Sequence, residues 1–354
     1  MKTPQFLSRA IFRRAVLSFA FVLFLAACGQ DTSAVPADSG ATRPLELTNP
    51  ADTPPVDRAL ASVDLDDIVF DTFNGGSFTL AEGSVDDVAE FFDRIPPIDT
   101  PGYETVAEAD WLTGDDVVLG YEDPEGGAWA FPVRILNFHE IVNDELGGQP
   151  VLISYCPLCG SGVVYDRVLE GQELSFSNTS ALLDNDMVMV DRETGSYWWQ
   201  VAGTSVVGEL NDSSLVPLAS QTTTFAEWTR QFPDTAVLER PSSSGQYDSD
   251  VFASYGARLD GGGNTPFPLR TNTLDDGRLD PSTQVVFTTI AGETLAWNPA
   301  PARSFEDVVG GQTVEVTTDG LGAIVTADGE VLPTRSSFWF AAITAFPDIE
   351  LSPN

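Results

Sequence analysis

Lysine is all but missing from this chain. Lys2 is the only one in 354 residues, and 53 acidic side chains face 17 basic ones for a formal net charge of −36. No basic stripe exists to neutralise phosphates, which excludes nucleic acid as a partner. Histidine is equally scarce, with His139 alone, so any Ser-His-Asp arrangement would have to use that one imidazole. Three cysteines leave a single C-x-x-C pair, Cys156 and Cys159, and no second pair to complete a four-cysteine metal site. No phosphate-binding loop is present either, because GGGN at 261–264 lacks the lysine and the helix context. Long apolar runs are absent except for AVLSFAFVLFLAA near the N-terminus.

That run follows Lys2, Arg9, Arg13 and Arg14 and ends at Leu25-Ala26-Ala27-Cys28, so residues 1–28 read as a lipoprotein export signal. Diacylation of Cys28 would leave an extracytoplasmic protein held to the membrane by lipid. A plain transmembrane anchor is the alternative, although the run is short for a span. Arg13-Arg14 also loosely matches a twin-arginine signal. Residues 29–60, rich in Ser, Thr, Pro, Asp and Ala, are expected to be a disordered tether. Removing residues 1–28 takes away four basic residues and no acid, leaving 17 − 4 = 13 against 53, a net of −40. Such a surface reads as salt-adapted, or simply as that of an acidic exported protein.

The body is expected to be mainly β with a few short helices, an α+β fold. DDVVLGY, PVLISY, VVYDR, DMVMVD, TQVVFTTI and QTVEVTT are Val/Ile/Thr-rich runs bounded by Gly, Asp and Pro. Helices are expected at SVDDVAEFFDRI with Ser84 as N-cap, at FPVRILNFHEIVND with Pro132 in its first turn, and at TFAEWTRQF after Thr224. On the second of these, His139 and Asn143 would share a face, as would Glu140 and Asp144. Segments 115–132, 147–154 and 232–238 parallel 283–299, 310–317 and 346–351, which suggests a degenerate internal repeat. The expected halves are 61–240, carrying the chemistry, and 283–354, shorter, joined by a Gly/Ser/Asp-rich connection at 241–282.

Every soft metal ligand that survives export lies between His139 and Arg192. CPLCG has the spacing that lets two thiolates face one ion, with a glycine able to take positive φ. With His139, Cys156 and Cys159 make a candidate Cys₂His site for Cu or Zn. A fourth position would be open or filled by Met187, Met189, Glu140, Asp144 or water. The same pair could be a thiol–disulfide redox couple, or a structural disulfide in a non-catalytic envelope module. Glu140, Asp144, Asp191 and Arg192 are the candidate catalytic residues, although each also reads as a local charge at a helix end or turn. Met187 and Met189 alternate on a strand and so share a face; Trp198 and Trp199 must point to opposite faces, and one could wall a pocket.

VVLGY (117–121), AFPVRILNFHEIVND (130–144), PVLISYCPLCGSGVVYDR (150–167), MVMVDRETGSYWWQ (187–200), WTRQFPDTAVL (228–238) and FWFAAITAFPDIEL (338–351) occur in this order. On these segments the chain resembles the domain of unknown function 3179 family, found in exported bacterial and archaeal proteins, over residues 85–351. The resemblance supplies no substrate. It singles out His139, Glu140, Asn143, Asp144, Cys156, Cys159, Asp191, Arg192, Ser196 and Gln200 as positions matching the family's motifs. The chain departs from the pattern at 241–282 and at the double tryptophan.

Overall fold

Strands such as Gln149–Cys156 and Ser161–Asp166 are buried along most of their length, and they form a hairpin near one edge of an eight-stranded sheet. A strand reads that way when both of its faces are covered. Val151, Ile153 and Val164 point to one side, where they meet Leu119, Tyr121 and Phe131 of a five-stranded sheet. Leu152, Cys156, Val163 and Tyr165 point to the other, against Phe176, Met187, Met189 and Trp198 of a six-stranded sheet. A separate four-stranded meander, Arg303 to Val331, completes the body. The computed structural model describes residues 47–242, 245–260 and 276–354. The export signal, Cys28, the first part of the tether and residues 261–275 of the connection lie outside the described residues. The protein is mainly β with few short helices, as its composition of strands indicates.

Five α-helices are described: α1 (Val85–Ala89), α2 (Val133–His139), α3 (Phe225–Gln231), α4 (Tyr255–Asp260) and α5 (Trp339–Ala345). Ser84 caps α1 in a reciprocal box with Asp87, and Thr224 caps α3 through Glu227 N. Helix α2 is shorter than its sequence suggests. Pro132 stands outside it as N-cap, and Glu140 ends it in the left-handed region at φ 57°. The chain then turns directly into the strand Ile141–Leu146. Asn143 and Asp144 are therefore strand residues, and neither shares a helical face with His139 or Glu140. The reason is pairing: Ile141 to Leu146 complete a six-residue ladder with Gln149 to Ser154, and that outweighs helix propensity.

The ordered body also begins before residue 61. Val56 is buried, Arg58 donates to the Gly83 carbonyl at 2.6 Å, and Leu60 accepts from Gly208 N at 2.7 Å. Packed contacts are thus present within the last five residues of the expected tether. Two local orders match. The strand Ser220–Thr224 pairs with Val117–Glu122, and α3 leads to Ala236–Leu238, which pairs parallel with Ala128–Pro132. Likewise Arg335–Phe338 pairs with Gln284–Ile290, and α5 leads to Glu350–Leu351, parallel to Glu293–Trp297.

Candidate functional site

Cys156 is the last residue of its strand and pairs with Ser161, so Cys156 closes the hairpin and Cys159 lies within its tight turn. Gly160 follows at φ 54°, with Phe338 so close that an added Cβ would meet its ring at 2.9 Å. Glycine is required there on both counts. Both cysteines are free and buried.

Asp186, not His139, completes the cluster. One ligand atom each from Cys156, Cys159 and Asp186 lie within 4.8 Å of one another. The Cys159 thiol donates to Asp186 Oδ1 at 2.9 Å, while Met187 N and Val201 N hold the carboxylate at 2.9 and 2.8 Å. Ser161 Oγ lies 3.2 Å from the Cys159 sulfur and donates to Gln200, whose amide reaches Ser154 Oγ at 3.0 Å. Glu140 is the fourth acid in this region. Its carboxylate accepts from Asn178 Nδ2 at 2.6 Å, and the same amide nitrogen lies 3.3 Å from Met187 Sδ. Two backbone irregularities serve this region: Glu140 at positive φ, and a register shift between Asn178 and Ala181 with Ser180 at φ 60°. Strand irregularities of this kind re-aim side chains.

Electrostatics follows from burial. Desolvation pushes Glu140 up to about 8 and Asp186 up to about 6. It raises both thiols as well, and the Asp186 carboxylate raises them further. No cation is among the leading influences on any of the four groups. Four protonatable groups thus gather where the free anions would have no counter-charge, and each holds its proton more tightly than it would in water.

His139 lies elsewhere. Its Nδ1 meets the Pro96 carbonyl at 2.8 Å and its Nε2 meets Tyr247 Oη at 2.8 Å, so both ring nitrogens are engaged. The side chain gathered with Cys156 and Cys159 is thus Asp186, while the ring nitrogens of His139 are engaged by Pro96 and Tyr247. Met187 and Met189 do share a face, both packed in the apolar cluster with the cysteines. Asp144 accepts from Tyr103 Oη at 2.6 Å. Asp191 holds Trp198 Nε1 at 2.8 Å and the Thr194 amide at 2.6 Å. Arg192 pairs with Asp99 at 2.8 Å and donates to Ser177 Oγ, and Asp99 in turn accepts from Asn143 at 2.7 Å. Ser196 Oγ accepts from Leu210 N at 3.0 Å. These four motif positions brace strands. Trp198 is fully buried, whereas Trp199, on the opposite face, lines a groove of about 440 Å³ with Asp64, Asp184, Asp276 and Arg278.

Asp186 and Asn178 carried no chemical signal in the sequence. Asp186 reads as a polar residue opening an apolar strand, and nothing in its spacing from Cys159 foretells that two sheets bring them together.

Stacked β-sheets enclosing a dithiol–carboxylate cluster define the class: a β-rich protein with a buried ligand-type centre. A family model described as protein of unknown function (DUF3179) matches residues 92–339, and the chain belongs to that family. No curated protein and no solved structure matches the chain.

Proposed function

We propose that this is a metal-binding protein whose centre is Cys156, Cys159 and Asp186, with zinc as the fitting ion. The carrying observation is the convergence of these three ligand atoms within 4.8 Å in a buried setting without a cation. A divalent ion would take the place of the protons that burial now holds on the thiols and the carboxylate. Two thiolates suit both Cu(I) and Zn; the carboxylate oxygen favours Zn. Met187 and Glu140 are the protein groups at hand for a fourth position, and water is the alternative. A thiol–disulfide catalyst is less well supported, because such chemistry needs a lowered thiol pKa and both thiols here are raised.

Further elements of this reading are the anchor and the repeat. Lipidation at Cys28 would place the centre outside the cytoplasm, at the membrane surface. The matching strand and helix orders around α3 and α5 support a duplicated scaffold, with the Cys156–Gln200 block carried by one copy only.

The test is metal analysis of protein reduced and reconstituted with zinc. One zinc per chain is expected for wild type and for His139→Ala, none for Cys159→Ser, and at least about tenfold weaker binding for Asp186→Asn. Wild type without bound zinc or copper would overturn the proposal.

A further inference from the structure

One polar side chain reaches from sheet to sheet beside the cysteines. Gln200 follows the strand Tyr197–Trp199 of the six-stranded sheet, and its amide bonds to Ser154 and Ser161 on the hairpin of the eight-stranded one. Gln200 and both serines are fully buried. The direction of the bonds can be read from one end. The Val163 carbonyl only accepts, so the Ser154 hydroxyl gives it its hydrogen at 3.1 Å and itself accepts from Gln200 Nε2 at 3.0 Å. Gln200 Oε1 then faces Ser161, whose hydroxyl donates to it. The Ser161 oxygen lies in turn 3.2 Å from the Cys159 sulfur.

The backbone of the same residue is pinned as well. Tyr165 Oη donates to the Gln200 carbonyl at 2.8 Å, and Gln200 N donates to the Met187 carbonyl at 3.0 Å. The next amide, Val201 N, donates to Asp186 Oδ2 at 2.8 Å, while Asp186 Oδ1 faces the Cys159 thiol at 2.9 Å. Residues 200 and 201 therefore touch the sulfur of one sheet through Ser161 and the carboxylate of the other directly. A buried amide costs free energy unless its bonds are made, and once made they fix one arrangement of the groups around it.

We propose that Gln200 is the positioning residue of the Cys156–Cys159–Asp186 centre. Through Ser161 it holds the Cys159 sulfur, and through the amide that follows it holds Asp186, so that ligand atoms carried by different sheets keep one spacing. The inference rests on the metal reading of the centre and adds to it residues outside the ligand set.

The experiment measures zinc affinity by competition with a chromophoric chelator, and the absorption spectrum with cobalt(II) in place of zinc, on the full chain. Gln200→Met keeps the length of the side chain and removes both amide bonds; Ser161→Ala removes the link to the sulfur. Each should weaken zinc binding about tenfold to a hundredfold, the range for groups that orient metal ligands. The cobalt spectrum, which follows coordination geometry, should shift in both variants. Ser205→Ala is the control, since it removes another buried hydroxyl of the six-stranded sheet, bonded to the Tyr197 carbonyl at 3.2 Å. It should leave zinc affinity and the cobalt spectrum as in wild type, whatever its effect on melting temperature. If Gln200→Met does not fold, Ser161→Ala decides. Wild-type affinity and spectrum in Ser161→Ala, or a loss in Ser205→Ala as large as in the other two, overturns the positioning role and leaves the metal reading standing. Wild type that binds neither zinc nor cobalt overturns both.

Discussion

Burial acts on His139 and Glu140 in opposite senses, and the two neighbours can be told apart by pH. For His139, loss of water lowers the pKa below its ordinary value of 6.5. The unfolded chain then binds the proton more tightly, so stability present above about pH 6.5 is lost as pH falls below it. The stability advantage of wild type over His139→Gln should therefore shrink as pH is lowered from 7 to 5, and the one imidazole resonance set should titrate below 6.5. Glu140 is raised from 4.5 to about 8. Its contribution is present in full below about 4.5 and is lost as pH rises toward 8. In metal-free protein, Glu140→Gln should gain on wild type progressively across that interval, measured as a difference in melting temperature. A Gln variant that tracks wild type from pH 5 to 8 would place the Glu140 carboxyl in contact with water.

Two elements show what the sequence made legible. Ser84, Asp87 and the apolar residues after them announce α1, and the capping box is present as the pattern requires. Ser84→Ala should cost about 1 kcal/mol in denaturant unfolding. Thr224 announces α3 in the same way, and CPLCG announces its own turn, because the constraints act within a few residues. Gly160→Ala should cost at least about 1 kcal/mol, since φ 54° disfavours a side chain and Phe338 fills the space. The end of α2 was not legible. Nothing local in NFHEIVND distinguishes continued helix from a left-handed Glu140 followed by a strand, and the ladder with Gln149–Ser154 decides it. The third member of the cluster was hidden for the same reason, because Asp186 meets Cys159 across 27 residues of sequence. The sequence singled out the two cysteines and grouped them with His139, whereas the side chain beside them in the fold is Asp186.

For the whole molecule, the mature net of −40 expected after removal of residues 1–28 predicts a melting temperature that rises with salt into the molar range, as screening relieves self-repulsion. A flat or falling trend would separate the acidity from salt adaptation. Among the described residues no helix is long and apolar enough to cross a membrane. If Cys28 is lipidated as its sequence context suggests, Cys28→Ser should shift the protein from the membrane fraction to the soluble one, or leave the signal uncleaved; unchanged fractionation and mobility would contradict lipid anchoring. The cysteines stand on one hairpin of the eight-stranded sheet and Asp186 on the six-stranded one, so an ion held by all three would clasp one sheet to the other. Such a clasp subjects the cohesion of the two sheets to mass action. Above the dissociation constant, each tenfold increase in free zinc should add about 1.4 kcal/mol to the unfolding free energy. The molecule would then register the zinc level of its surroundings as its own resistance to unfolding, and would loosen first at the sheet seam when zinc runs short.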